Sequence, residues 1–152
     1  MLTWAVPLAA SLIIAAAGES ATLSRSEASL LTAMNTVRVQ HGLTPLRIDP
    51  RLERAARGHS RRMLRTGTFY HGEFAARIRS VGVRTPRIGE NLAWAAAQIA
   101  LARMVVQMWL ASPAHRANLL HPRYRLVGIG APVGPFAGYP SVHMVTADFA
   151  GS

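Results

Sequence analysis

The chain has 152 residues, enough for one domain and too few for two. It has no cysteine, which excludes disulfides, cysteine nucleophiles and thiolate zinc sites. Seventeen Lys+Arg stand against seven Asp+Glu, and every one of the seventeen is Arg, so anionic partners are favoured.

Half of the residues are apolar, so one core can form without staples. The stretch Ala5 to Ala17 is almost wholly apolar and ends in three alanines. It is too short for a membrane span and suits a secretory signal peptide over residues 1–18. Met1 to Trp4 contain no Lys or Arg, a departure from the usual signal, and a short anchor is the other reading. The expectation is an exported protein, secreted or periplasmic, with no stable membrane span in its mature form and a folded domain over residues 26–151.

Ser24 or Ser26 can cap a first helix, in which Leu30, Leu31, Met34 and Val37 recur at helical spacing. Gly42 to Leu46 form a turn into a short extended piece. Asp49-Pro50 starts a second helix. Leu52, Ala55, Ala56, His59 and Met63 fall on one arc of it. Arg51, Arg54, Arg57, Arg61, Arg62 and Arg65 fall opposite, as a solvated face or as a docking surface for an anionic polymer or membrane. Gly67 closes the helix, and Phe69 to Gly72 form a loop. Glu73 to Val81 read as a short helix with Phe74, Ile78 and Val81 inward. Ile88 to Leu92 read as an extended or turn segment. Gln98 to Ala111 read as a helix burying Ile99, Ala102, Val105, Val106 and Trp109, broken by Ser112-Pro113. Tyr124 to Val133 and Ser141 to Phe149 read as strands. Helices first and strands last indicate an α+β fold.

Three residues stand out chemically. His71 and His115 lie in segments read as irregular, next to structured scaffold, where sites are commonly placed. Glu90 is an acid in an apolar stretch, and a buried carboxylate needs a partner. An imidazole beside it would serve, and the carboxylate would fix that imidazole's tautomer. On the residues alone, a shared site and three separate structural residues are both open. His59 reads mainly as a core histidine. Arg116 and Asn118 read as structural, and Asn91 as a brace for the Glu90 segment.

Several motifs recur together: Asn35-x-x-Arg38, Gly42-Leu43-x-Pro45-Leu46, His59-Ser60-x-x-Met63, Phe69-x-His71, Gly89-Glu90-Asn91-Leu92, Ser112-Pro113-x-His115-Arg116-x-Asn118, Gly128-x-Gly130 and Asp148-Phe149. In this order they resemble the bacterial branch of the CAP superfamily, the cysteine-rich secretory, antigen 5 and pathogenesis-related (SCP-like) proteins. The resemblance implies an α–β–α sandwich with a central antiparallel sheet between helical layers. It also implies a cavity lined by His71, Glu90 and His115, in which the two histidines can hold a divalent metal such as zinc. A second glutamate of the family falls here on Ser112, which weakens any two-glutamate acid/base chemistry.

Two functions follow from the resemblance. One is a binding module for lipid, glycan or peptide ligands, helped onto anionic envelope components by the Arg-rich surface. The other is a hydrolase, with a metal on His71 and His115 polarising water and Glu90 as general base. Nucleic acid is not an expected partner, since no recognition motif accompanies the charge.

Overall fold

The computed structural model describes residues 22–96 and 99–151. The expected signal peptide and Gln98 lie outside these residues. Ser24 opens helix α1 (Arg25–Gln40): its hydroxyl accepts from the Glu27 amide at 3.2 Å, and Glu27 accepts from the Ser24 amide at 2.8 Å. This reciprocal box satisfies donors that a helix start otherwise leaves free. Asp49 caps α2 (Pro50–Thr66), accepting from the amides of Arg51 and Leu52, and Gly67 ends it in the left-handed conformation. The remaining elements are β1 (Arg47–Ile48), α3 (Phe74–Ser80), β2 (Ile88–Ala95), α4 (Leu101–Ala111), α5 (Pro113–Leu119), β3 (Tyr124–Gly130), β4 (Val133–Phe136) and β5 (Tyr139–Gly151).

The sheet runs β1-β3-β5-β2, with β4 also paired to β5. All pairings are antiparallel except the two-residue β1 against β3. Alternate residues face opposite layers. Ala93, Val127, Ile129, Val145, Ala147 and Phe149 pack with Leu30 and Met34 of α1, Val105 and Trp109 of α4 and Leu119 of α5. On the other face Leu92 and Met144 meet Met63 of α2, and Ala150 meets Leu52 and Ile78 of α2 and α3. The chain is thus an α+β, three-layer α–β–α sandwich.

Gly128 and Gly130 let α2 lie directly on β3. A Cβ on Gly128 would sit 2.0 Å from the Leu52 carbonyl carbon, and one on Gly130 would sit 2.6 Å from Arg57 Cα. Ser60 of α2 fixes the contact through a 2.8 Å hydrogen bond to Thr146 of β5. In the opposite layer, the fully buried Arg38 donates to the carbonyls of Thr44, Leu119, His121 and Tyr124, joining α1 to the chain after α5. Buried carbonyls need such donors, and a guanidinium can serve several at once.

Three expectations need correction. Ile99 precedes α4 and is 88% exposed, because the helix begins only after Ala100, which is in the left-handed conformation (φ 59°). Ile88 to Leu92, read as extended or turn, take the extended form within β2 and need none. The expected strand Tyr124–Val133 is broken at Ala131-Pro132 into β3 and β4. Arg57 leaves the solvated Arg face, because it pairs with the buried Glu27 at 2.5 Å and the buried Glu53 at 2.7 Å.

Candidate functional site

β2 is the last strand of the sheet, and the candidate site is built around it. Glu90 sits on β2 directly opposite Asp148 on β5. Directly paired residues of antiparallel strands project to the same face. Here that is the face covered by α2 and α3. Both side chains are buried, at 1% and 0% exposure. Arg77, from α3, is placed between them: its guanidinium is ion-paired to Glu90 Oε2 and lies 3.4 Å from Asp148 Oδ1.

Two carboxyls facing one guanidinium do not both ionise readily. Burial pushes Glu90 up to about 7 and Asp148 up to about 8, while Arg77 pulls each back down. The charge of Glu90 raises Asp148 further. Asp148 Oδ2 is buried and has no hydrogen-bond partner among the described residues. The other oxygen of Glu90 meets His71, with Nδ1 to Oε1 at 2.7 Å.

His71 belongs to the loop between α2 and α3, and its side chain is 54% exposed. Glu90 accepts from Nδ1 and so fixes the ring tautomer, leaving Nε2 directed away from the carboxylate. The loop is itself held down. His59 of α2 donates through Nε2 to the Tyr70 carbonyl at 2.8 Å. Burial, reinforced by the charge of Arg77, depresses His59 to about 4, so it is a neutral fastener near pH 7. Its 4% exposure places it in the core, and its bond positions the residue preceding His71.

His115 comes from the opposite layer. It lies within α5 and not in an irregular segment, because Pro113 at the first helical turn restarts a helix immediately after the break. Asn91 of β2 donates to the His115 carbonyl at 2.9 Å. Asn118 of α5 donates to the Glu90 carbonyl and to Asn91 Oδ1, both at 3.0 Å. These bonds clamp α5 along β2. Burial and the nearby charge of His71 lower the His115 pKa, so the two imidazoles share one electrostatic neighbourhood. No hydrogen bond joins the His115 ring to a described residue. Ser112 precedes Pro113 and makes no capping hydrogen bond with its side chain.

A divalent metal such as zinc would take His71 Nε2 and the His115 ring. Catalytic zinc sites generally keep three protein ligands. Ser112 offers no carboxylate, and both Glu90 oxygens are committed to His71 and Arg77. Among the described residues no group of three or more His, Cys, Asp or Glu is arranged to hold a metal. The fit is incomplete.

Arg77 and Asp148 are site residues that reading the sequence overlooks. Arg77 is one of seventeen arginines, with nothing local to mark it. Asp148 did carry a signal, as an acid inside an otherwise apolar strand, but only the β2–β5 register ties it to Glu90.

A three-layer sandwich with a His–Glu pair at the sheet edge defines a CAP-type domain. A model of the family described as CAP, the cysteine-rich secretory protein family, matches residues 31–149, and the chain belongs to that family. It is 31% identical over 113 residues to the uncharacterized protein YkwD of Bacillus subtilis, covering 71% of this chain and 43% of that protein. The chain therefore spans less than half of that relative's length. Among solved structures it is similar to an outer surface protein of Borrelia burgdorferi, with a TM-score of 0.68 and 21% identity over 84% of this chain and 93% of that one. It is also similar to an SCP-domain extracellular protein of Bacillus anthracis, with a TM-score of 0.65 and 25% identity over 88% of this chain and 45% of that one. Among the described residues no helix is long and apolar enough to cross a membrane.

Proposed function

We propose that the chain is an exported binding module of the cell envelope or medium, whose cleft presents His71 and His115 to a lipid, glycan or peptide ligand. One observation carries this reading over hydrolysis. Glu90 is sealed beneath His71 and Arg77, with its side chain 1% exposed. A general base must reach the proton it removes, and a carboxylate with both oxygens occupied inside the protein is an orienting group instead. The solvent-facing chemistry is left to the imidazole of His71, which suits hydrogen bonding to a ligand. The relatives described as extracellular or outer surface proteins support export.

The hydrolase reading is tested directly against this one. The protein, supplied with zinc, is assayed on chromogenic esters, peptides and glycosides alongside His71→Ala and Glu90→Gln. The expected result is no turnover that either substitution abolishes, together with retained binding of at least one of three probes: phosphatidylglycerol vesicles, an acidic glycan or a peptide library. Turnover lost in both variants would establish the hydrolase and overturn the binding reading.

A further inference from the structure

Beside the cleft, between α2 and α3, runs an open groove of about 660 Å³. Arg54, Gly58 and Arg62 line it in a single row, since residues four apart stack on one face of a helix. At 1.5 Å per residue the two arginines are about 12 Å apart along α2. Neither guanidinium makes a hydrogen bond or salt bridge to another described residue, and both residues are exposed. Arg77 closes one wall, but its charge is spent on Glu90. Glu73 is the only acid among the lining residues. Two unpaired guanidiniums on the rim of a concave surface form a receptor for two anionic groups.

Gly58 marks the space between them. A glycine inside a helix costs about 1 kcal/mol relative to alanine. Nothing in the fold requires it here, since its φ is not positive and a Cβ would meet no atom within 4 Å. That Cβ would instead enter the groove. Tyr70 and the small Ala55 and Ala76 supply the remaining apolar surface.

We propose that this groove binds a strand of an acidic glycan, with carboxylate or phosphate groups on Arg54 and Arg62 and the sugar backbone passing over Gly58 against Tyr70. The inference rests on the binding reading above and specifies its ligand class and its place. A flat bilayer cannot enter a recess between two helices. A peptide added as a strand would need an exposed sheet edge, and helical walls offer none. A glycan needs neither, because its ring faces pack on apolar surface and its charges take the arginines. Glu73 disfavours acidic groups at its end of the groove, which orients the strand.

The test is calorimetric titration of the whole chain with a short oligogalacturonate and a short phosphodiester-linked glycan, each beside its neutral counterpart, at low and raised salt. Binding of either acidic probe, weakened by salt and absent for its neutral counterpart, is the expected result. Arg54→Gln combined with Arg62→Gln should weaken it by about tenfold or more. Gly58→Met should weaken it comparably without lowering the melting temperature, and Glu73→Gln should strengthen it. Equal binding of the neutral glycan, failure of both acidic probes, or unchanged affinity in Gly58→Met overturns the proposal. So does binding confined to phosphatidylglycerol vesicles or to an acidic peptide. Loss of ligand binding in His71→Ala, with the groove variants unaffected, would leave the binding reading standing and remove only the groove.

Discussion

Glu90 and Asp148 face each other across the β2–β5 pairing, both buried, with the guanidinium of Arg77 between them. Carboxyls so placed share one counter-charge. The half-exposed His71 is tied to the outer oxygen of this pair. The orientation of the His71 ring therefore rests on a largely buried set of charged groups.

Removing the counter-charge tests this arrangement. Arg77→Met leaves Asp148 in the interior without a counter-charge and Glu90 with His71 alone, and breaking a buried pair this way costs about 3–5 kcal/mol. At pH 8 the variant should be destabilised by that order in urea unfolding. The loss should shrink toward pH 5, where both carboxyls can hold protons. A cost that does not change with pH would show that Arg77 acts by packing alone.

The same pair sets a pH dependence in the native protein. Burial raises Glu90 from 4.5 to about 7 and Asp148 from 3.8 to about 8. The folded state thus holds protons that the unfolded chain releases, so this contribution is present below the unfolded values and is lost as pH rises through the folded ones. His59 works in the opposite direction: depressed from 6.5 to about 4, it favours folding as pH rises through that interval. The lowered His115 has the same sign. Above pH 6.5 the histidine contributions level off and the carboxyls dominate. Calorimetric stability should decline from there to above pH 8, by up to about 1.4 kcal/mol per pH unit for each proton retained. Asp148→Asn, which keeps the shape and removes the titration, should flatten the decline.

Asn118 makes a third case, because it holds both α5 and β2. Asn118→Ala removes its bonds to the Glu90 carbonyl and Asn91 Oδ1 and leaves those acceptors inside the protein. A cost of about 2 kcal/mol is expected. Loosening α5 should also expose His115, whose pKa is lowered chiefly by burial. Proton NMR titration of the His115 ring should show an upward shift toward its ordinary value. An unmoved ring would mean that α5 is held by packing of Leu119 and not by the asparagines.

What could be read from the sequence was mostly local. The Ser24 cap, the Asp49-Pro50 start, the Gly67 stop and the apolar arc from Leu52 to Met63 each depend on neighbours within a turn of helix, and each appears in the fold. The placement of Glu90 in a strand, its opposition to Asp148, and the reach of Arg77 from α3 depend on pairing between distant segments. No periodicity near Glu90 carries that information. Arg57 shows the same limit, since its position on the helical wheel matches that of Arg54 and Arg61 and only the distant Glu27 draws it inward. The imidazole partner expected for Glu90 follows from the cost of an unpaired buried charge, and the Glu90–His71 contact has that form. The motif resemblance brought His115 into the same picture, because nothing in its own helix points to β2.

Two glycines separate packing from function. Gly128→Ala would place a Cβ 2.0 Å from the backbone of Leu52, where a helix lies on the sheet and neither can yield cheaply. The expected cost is about 3 kcal/mol or more, as for other overpacked sites. Gly58→Ala meets no atom within 4 Å and should stabilise α2 by about 1 kcal/mol, the ordinary difference in helix propensity. Urea unfolding with unchanged slope distinguishes these opposite signs. A stabilising Gly58→Ala that also weakens binding of an acidic glycan would mean that the gap in α2 serves the ligand and not the fold. The same substitution lowering stability would mean that α2 needs its glycine for some reason of its own, and would remove the argument that the groove is kept open for a ligand.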